Sequence, residues 1–259
     1  QQHAVVYLNP DGNGRGFLEA DGSHTLEHFI NDVARDVEDP DTKMSVWKRM
    51  QALRISQGPA EKRDEARSRA DLRIDALGSG SDYSPFLQHN GVPTLNIGFG
   101  GMDDDGIYHS IYDDFYHFEK FGDTDFRYGR ALAQVVGTAV IRMADAELLP
   151  FQFTNVADTI QTYVKEVQTL LKQQQDEISE RNRQLEDGVY KGIADPRRPT
   201  EPPKAEQPVP AINFAPLENA VATLTRSADR YKKAAEGVAP KLGANRPDGG
   251  AIKARIIQK

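Results

Sequence analysis

The sequence of 259 residues contains no cysteine. Its absence excludes disulfides, thiolate-ligated zinc and a cysteine nucleophile together. No run of eighteen apolar residues occurs, so no membrane-spanning segment is expected in this sequence. Basic residues are scattered instead of gathered into a stripe, and the net charge is −7, which excludes nucleic acid as an expected partner. No initiator methionine or leader opens the chain, which begins "QQHAVVYLNPDGNG". It ends on "AIKARIIQK", where Ile252, Ile256 and Ile257 start an apolar face that then stops. Both ends read as cut, and a fragment of a longer protein is expected.

What is present divides near residue 150. Before it, strand and helix signals alternate. "HAVVYLN" is a β-branched apolar run ending at Pro10, and "VPTLNIGF" is a second buried-strand candidate. Ser23 can cap a helix carrying Leu26, Phe29, Ile30, Val33 and Val37. Residues 43 to 57 and 60 to 72 read as further helices, and "DTDFRYGRALAQVVGTAVIRMADAELL" reads as a long, largely buried one. Alternation of this kind predicts an α/β sheet with helices on its faces. Beyond residue 150 the texture is helical. Val156, Ile160, Tyr163, Val167, Leu170 or Leu171, and Ile178 mark one face of a long polar helix. "FAPLENAVATLTRSADRYKKAAE" gives another, and between them a proline-rich connector at 195–210 is too rich in proline for regular structure. The expected domains are 1–150 and a helical 151–259.

Several constellations could carry chemistry. Asp11 stands just past the end of the first strand, where ligands of open α/β sheets bind, although Asp-Gly is also common turn chemistry. "DGNGRG" starts like a calcium loop but presents Arg15 as its third ligand and Gly22 at the twelfth position, so that reading fails. "HTLEH" has the H-x-x-E-H spacing, which would put His24 and His28 on one helix face for a metal with Glu27 as base, but it needs a third ligand downstream, and a short motif of this kind reads more readily as a capped helix start with solvated histidines. "LGSGSDYSPF" is a Gly/Ser loop that allows close backbone approach, but it matches no phosphate-loop or dinucleotide pattern. "GIYHSIYDDFYHFEKFGD" gathers two of the six histidines with Tyr108, Tyr112, Phe115 and Tyr116, and it follows the acidic run Asp103 to Asp105. His109 there is a candidate zinc ligand, Tyr108 a candidate substrate contact, and Asp113 or Asp114 a candidate to orient the imidazole ring.

In order, "VVYLNPD", "LGSGSDYSPFLQHNGVPTLNIGFGG", "GIYHSIYDDFYHFEKFGD" and "ALAQVVGTAVIRMADAELLPF" resemble the zinc peptidases of the glutamate carboxypeptidase II and transferrin receptor family, its bacterial members above all. The likeness covers about residues 3 to 153 closely and the later helices loosely. It implies that 1–150 is the C-terminal part of a mixed-sheet zinc-peptidase domain with helices on both faces, and that 151–259 resembles the family's helical dimerisation domain. It implies two Zn2+ ions, with Asp11 on one and His109 on the other, and with Tyr108, Gly80 and Ser81 facing substrate. The carboxypeptidase has Asn where this chain has Ser81. The family's other ligands and its general-base Glu-Glu pair lie upstream of the first strand, and no Glu-Glu pair occurs here. The isolated piece is therefore expected to be inactive and its parent active on a peptide or N-acylated amino acid. Members preferring glutamate carry arginines where this chain has Asn96 and Gly98, so a general aminopeptidase or dipeptidase fits better. A homodimer through the later helices and a periplasmic or secreted location also follow from the resemblance. Two alternatives stay open: a non-catalytic binding protein like transferrin receptor, and a metallopeptidase built on His24 and His28.

Overall fold

The computed structural model describes residues 3–102, 107–195, 197–198 and 201–243, the last five without their side chains. The acidic run at Asp103 to Asp105 and the isoleucines at 252, 256 and 257 lie outside the described residues. Among the described residues three strands form one mixed sheet in the order β1-β3-β2. β1 (Tyr7–Asn13) runs parallel to β3 (Thr94–Gly101), and β2 (Gly16–Gly22) runs antiparallel to it. β1 starts later than its apolar run suggests and continues through Pro10, which tolerates an edge position.

β2 forms where the sequence pattern predicts no strand. Its alternation is clear in burial, with Leu18 and Ala20 in the core and Glu19 exposed between them. Glycines bound it because the backbone passes so close to β3: a Cβ on Gly22 would stand 2.1 Å from the carbonyl oxygen of Thr94, at a φ of +155°.

Leu95, Ile97 and Phe99 of β3 point to the same core as Leu18 and Ala20. That face is covered by α1 (Glu27–Asp36), by Val46 at the start of α2 (Val46–Gln57) and by α5 (Arg127–Ala144), through Phe29, Ile30, Val33, Tyr128, Leu132 and Val135 among others. The alternate residues of β1 and β3 face away, and there the segment after Gly78, with its π-helical turn Pro85–His89, lies over the sheet. Phe86 stacks on Tyr7 at 3.9 Å and 6°.

Helix ends depart from expectation for local reasons. Ser23 does not cap α1; its Oγ accepts the backbone N–H of Thr94, and a 3-10 turn His24–Leu26 precedes the helix. α2 begins at 46 because Ser45 caps it through the N–H of Lys48, after Lys43 has taken a left-handed φ of 62°. α3 (Ala60–Ser68) stops at an extended Arg69. The chain from Arg69 to Asp75 then runs as a strap along α1: Asn31 bonds the backbone of Leu72 in both directions, and the buried Glu27 accepts from the N–H of Ile74. α4 (Phe115–Phe121) is capped by Asp114.

The later chain supplies α6 (Phe153–Glu186), α7 (Val189–Gly192) and α8 (Ala215–Gly243). Residues 201–214 have no regular structure, as the prolines dictate. The described residues form two compact units, one of those up to 156 with those of 228–243, the other of those in 157–227. Within the second, Ala157 and Val164 of α6 are buried, whereas Val167 and Leu170 of the anticipated face are exposed.

Candidate functional site

Asp11 occupies a bulge. Pro10 pairs with Ile97 and Asn13 with Phe99, so three steps of β1 match two of β3. Such an insertion re-aims the side chains it contains. The bulge depends on Gly98, where a Cβ would come within 2.9 Å of the N, Cα and O of Gly12. Asp11 is exposed, and its Oδ2 accepts from the Ser81 hydroxyl at 2.8 Å. Ser81 in turn accepts from Nδ2 of Asn9 at 3.1 Å, and the same nitrogen donates to Oδ1 of Asn96 at 2.6 Å. Gly80 sits beside Ser81 at a φ of +111° with its N–H on Ser84 Oγ. The structure therefore brings together Asp11, Ser81 and Gly80 from elements far apart in sequence, with Asn9 and Asn96 as partners that no motif announced. Register could have found them: both point to the same face of paired strands, Asn9 opposite Asn96.

Tyr108 and His109 form a second pair. His109 holds a left-handed φ of 59°, unusual for a non-glycine residue, and its ring stacks on Tyr108 at 3.8 Å. Both are exposed. Asp113 does not orient the imidazole; its carboxylate accepts from the backbone N–H of His109 at 3.3 Å. Asp114 bonds the N–H of His117 instead. Aromatic exposure continues through Tyr112, Phe115 and Tyr116.

The "HTLEH" stretch has another use. Glu27 is fully buried, with Oε1 2.6 Å from Arg69 and Oε2 on the N–H of Ile74, so it cannot act as a base on solvent. His24 lies in the 3-10 turn and His28 in α1. The cluster that could hold a cation among the described residues is His28 with Asp32 and Asp71, without His24. There His28 Nδ1 lies 2.7 Å from Asp71 and Nε2 3.1 Å from Asp32. Arg35 bonds the other oxygens of both carboxylates, at 2.7 and 2.8 Å. The bond to Asp71 raises the His28 pKa above its ordinary value, with burial opposing and both carboxylates reinforcing. Burial pushes Asp71 up, but the bonds from His28 and Arg35 outweigh it and its pKa is lowered. Two ring nitrogens aimed at two carboxylates describe an imidazolium held in an ion cluster, and an imidazolium has no lone pair for a metal. The metallopeptidase built on His24 and His28 is thus corrected by the geometry.

Asp11 in the first group and His109 in the second each offer a donor type that zinc accepts. Asp11 Oδ1 and the ring nitrogens of His109 carry no hydrogen bond among the described residues, and carboxylate with imidazole is a zinc-binding combination. No group of three or more potential ligands among the described residues includes either.

No protein-family model matches the chain. Curated relatives do. Residues of the chain are 38% identical over 162 positions to a probable glutamate carboxypeptidase LAMP1 of Arabidopsis thaliana, 60% of this chain and 21% of that protein. They are 29% identical over 174 positions to the probable glutamate carboxypeptidase VP8 of Zea mays, 64% and 22%. They are 23% identical over 180 positions to the aminopeptidase NAALADL1 of Mus musculus, 66% and 23%. The chain spans about a fifth of the length of these relatives. Over 60–66% of its own length the chain is similar to proteins named as glutamate carboxypeptidases and aminopeptidases.

Proposed function

We propose that the chain is part of a zinc-dependent exopeptidase, in which Asp11 and His109 each hold one of two zinc ions. The observation that carries this reading is the bulge at Asp11, which presents a carboxylate with one oxygen fixed by Ser81 and the other open, in a chain whose relatives are named peptidases. Bound zinc would supply an activated water for peptide hydrolysis. Asp11 and His109 would each contribute one donor, Tyr108 would offer its exposed hydroxyl to a peptide or N-acylated amino acid, and Gly80 would let the substrate approach the backbone. The general base and the remaining ligands would come from elsewhere in the full-length protein, so the 259-residue chain alone would be inactive.

The acceptor at Asn96 is taken up by Asn9, and Gly98 lies against Gly12, so neither position offers a cation for an acidic side chain. This favours a general aminopeptidase or dipeptidase. The exposed Tyr163, Val167 and Leu170, at i, i+4 and i+7 of α6, support a homodimer through the later helices.

The test is zinc content of the full-length protein by elemental analysis. Asp11→Ala and His109→Ala should each lower it and abolish hydrolysis of dipeptides, while His24→Ala should leave both unchanged. Full zinc loading in the Asp11→Ala and His109→Ala variants would end the peptidase-site reading. A wild-type protein devoid of zinc and of hydrolysis would favour the receptor-like alternative.

A further inference from the structure

We propose that Ser81 is a positioning residue for Asp11, with no direct part in holding substrate, and that Asn9 fixes the direction of its hydroxyl proton. The proposal rests on the reading of Asp11 as a metal ligand.

The proton positions follow one from another. A carboxylate offers only acceptors, so the 2.8 Å contact between Ser81 Oγ and Asp11 Oδ2 needs the single proton of the serine hydroxyl. Ser81 Oγ must then accept at its 3.1 Å contact with Asn9, so the atom facing it is the amide nitrogen. The second proton of that nitrogen goes to Asn96 Oδ1 at 2.6 Å, and Asn9 Oδ1 is left to accept from the Tyr7 hydroxyl at 3.3 Å. Every donor in the relay has one acceptor and no choice is left open. Asn9 is 6% exposed, so water competes little for its amide. Tyr7 is pinned by its stack on Phe86, in the same segment that delivers Ser81.

The relay has two consequences. Asp11 Oδ2 is held, which stops the carboxylate from rotating and leaves Oδ1 as the presented donor. The Ser81 proton is committed, so it cannot also bond a substrate carbonyl without releasing Asp11. Partners of this type orient metal ligands, and removing one typically weakens metal binding by about 10–100-fold.

The experiment measures zinc affinity of the full-length protein by chelator competition, together with kcat and KM on a dipeptide. Ser81→Ala, a change near the surface, should weaken zinc at least about tenfold and lower kcat with KM little changed. Ser81→Thr keeps the hydroxyl and should restore affinity. Asn9→Asp places a second acceptor beside Ser81, draws the proton away from Asp11, and should behave like Ser81→Ala. Unchanged zinc affinity with a raised KM in Ser81→Ala would make Ser81 a substrate contact and overturn the proposal. Asp11→Ala is the control for the reading beneath: if it leaves zinc bound, the metal role of Asp11 itself fails, whereas loss of zinc in Asp11→Ala with wild-type affinity in Ser81→Ala refutes the relay alone.

Discussion

The carboxylate of Glu27 is completely buried and lies 2.6 Å from the Arg69 guanidinium, joining α1 to the strap that follows α3. Burial pushes its carboxyl pKa up; the Ile74 N–H, Arg69 and Arg73 pull it back only in part. Removing one partner of a buried pair leaves the other uncompensated, at about 3–5 kcal/mol. Arg69 is itself a quarter exposed, so Glu27→Ala should fall toward the lower end of that range. Glu27→Gln keeps an acceptor for Ile74 and should cost less. Urea denaturation of the three proteins measures the order; a Glu27→Ala midpoint equal to wild type would mean that the strap is held by Asn31 and the apolar contacts alone.

His28 makes stability depend on pH. Its pKa is raised in the folded state, chiefly by the bond to Asp71, and the charged groups facing it are Asp71, Asp32 and Arg35. A raised basic pKa means that the folded state binds the proton more tightly than the unfolded one. The contribution is fully present below the unfolded histidine value of about 6.5 and is lost as pH rises through the folded value. Asp71 acts in the opposite range: its lowered pKa contributes stability above the unfolded carboxyl value and is lost as pH falls through the folded one. Urea midpoints should therefore decline from mildly acidic to mildly alkaline pH, and His28→Gln should flatten that decline. Adding a chelator should leave the difference between the wild-type and His28→Gln midpoints unchanged, because protons and Arg35 fill the positions that a cation would need in this cluster. A chelator effect on the wild-type midpoint that His28→Gln removes would revive the cluster as a metal site.

Much of the architecture could be read from pattern. "VPTLNIGF" and the 123–149 helix stand out because long apolar periodicity survives any context, and both form as β3 and α5. β2 escaped because seven residues bounded by glycines look like an extended turn, and only a neighbouring strand explains why those glycines are there. Asp11, Gly80, Ser81, Tyr108 and His109 were visible as motif residues. Their partners were not. Asn9 and Asn96 matter through cross-strand register, and Asp113 through a backbone N–H, and neither relation has a one-dimensional signature. "HTLEH" misleads for the same reason: spacing cannot say that Arg69 and the strap bury its glutamate.

Gly98 and Gly12 touch across the bulge but are not equivalent. A Cβ on Gly98 would sit 2.9 Å from three backbone atoms of Gly12, whereas one on Gly12 meets nothing closer than 3.7 Å. Gly98→Ala should cost about 1–3 kcal/mol, and Gly12→Ala much less, as read by urea denaturation. The bulge carries Asp11, so Gly98→Ala in the full-length protein should also weaken zinc binding. Gly98→Arg should destabilise the fold without creating a preference for acidic substrates. Gain of glutamate cleavage in that variant would show that the bulge can open.

Tyr128 closes the other end of the core. Its hydroxyl donates to Asp41 at 2.7 Å and accepts from Arg49 at 2.5 Å, and Arg49 also binds the buried Asp39 at 2.6 Å. Burial and the bond to Asp41 push its pKa to about 12, against the opposing pull of Arg49. A raised phenol pKa contributes stability that is whole below the unfolded value of about 10 and disappears as pH climbs through the folded one. Tyr128→Phe keeps the ring against Phe99 and removes only the hydroxyl, leaving Asp41 without that donor. The expected loss is about 1–3 kcal/mol, smallest at strongly alkaline pH, where the wild-type hydroxyl no longer holds its proton. Urea midpoints across the alkaline range, alongside ultraviolet difference titration of wild type and variant, test both the size and the direction. An unchanged gap between the two proteins at every pH would show that the hydroxyl is not the group titrating with the fold.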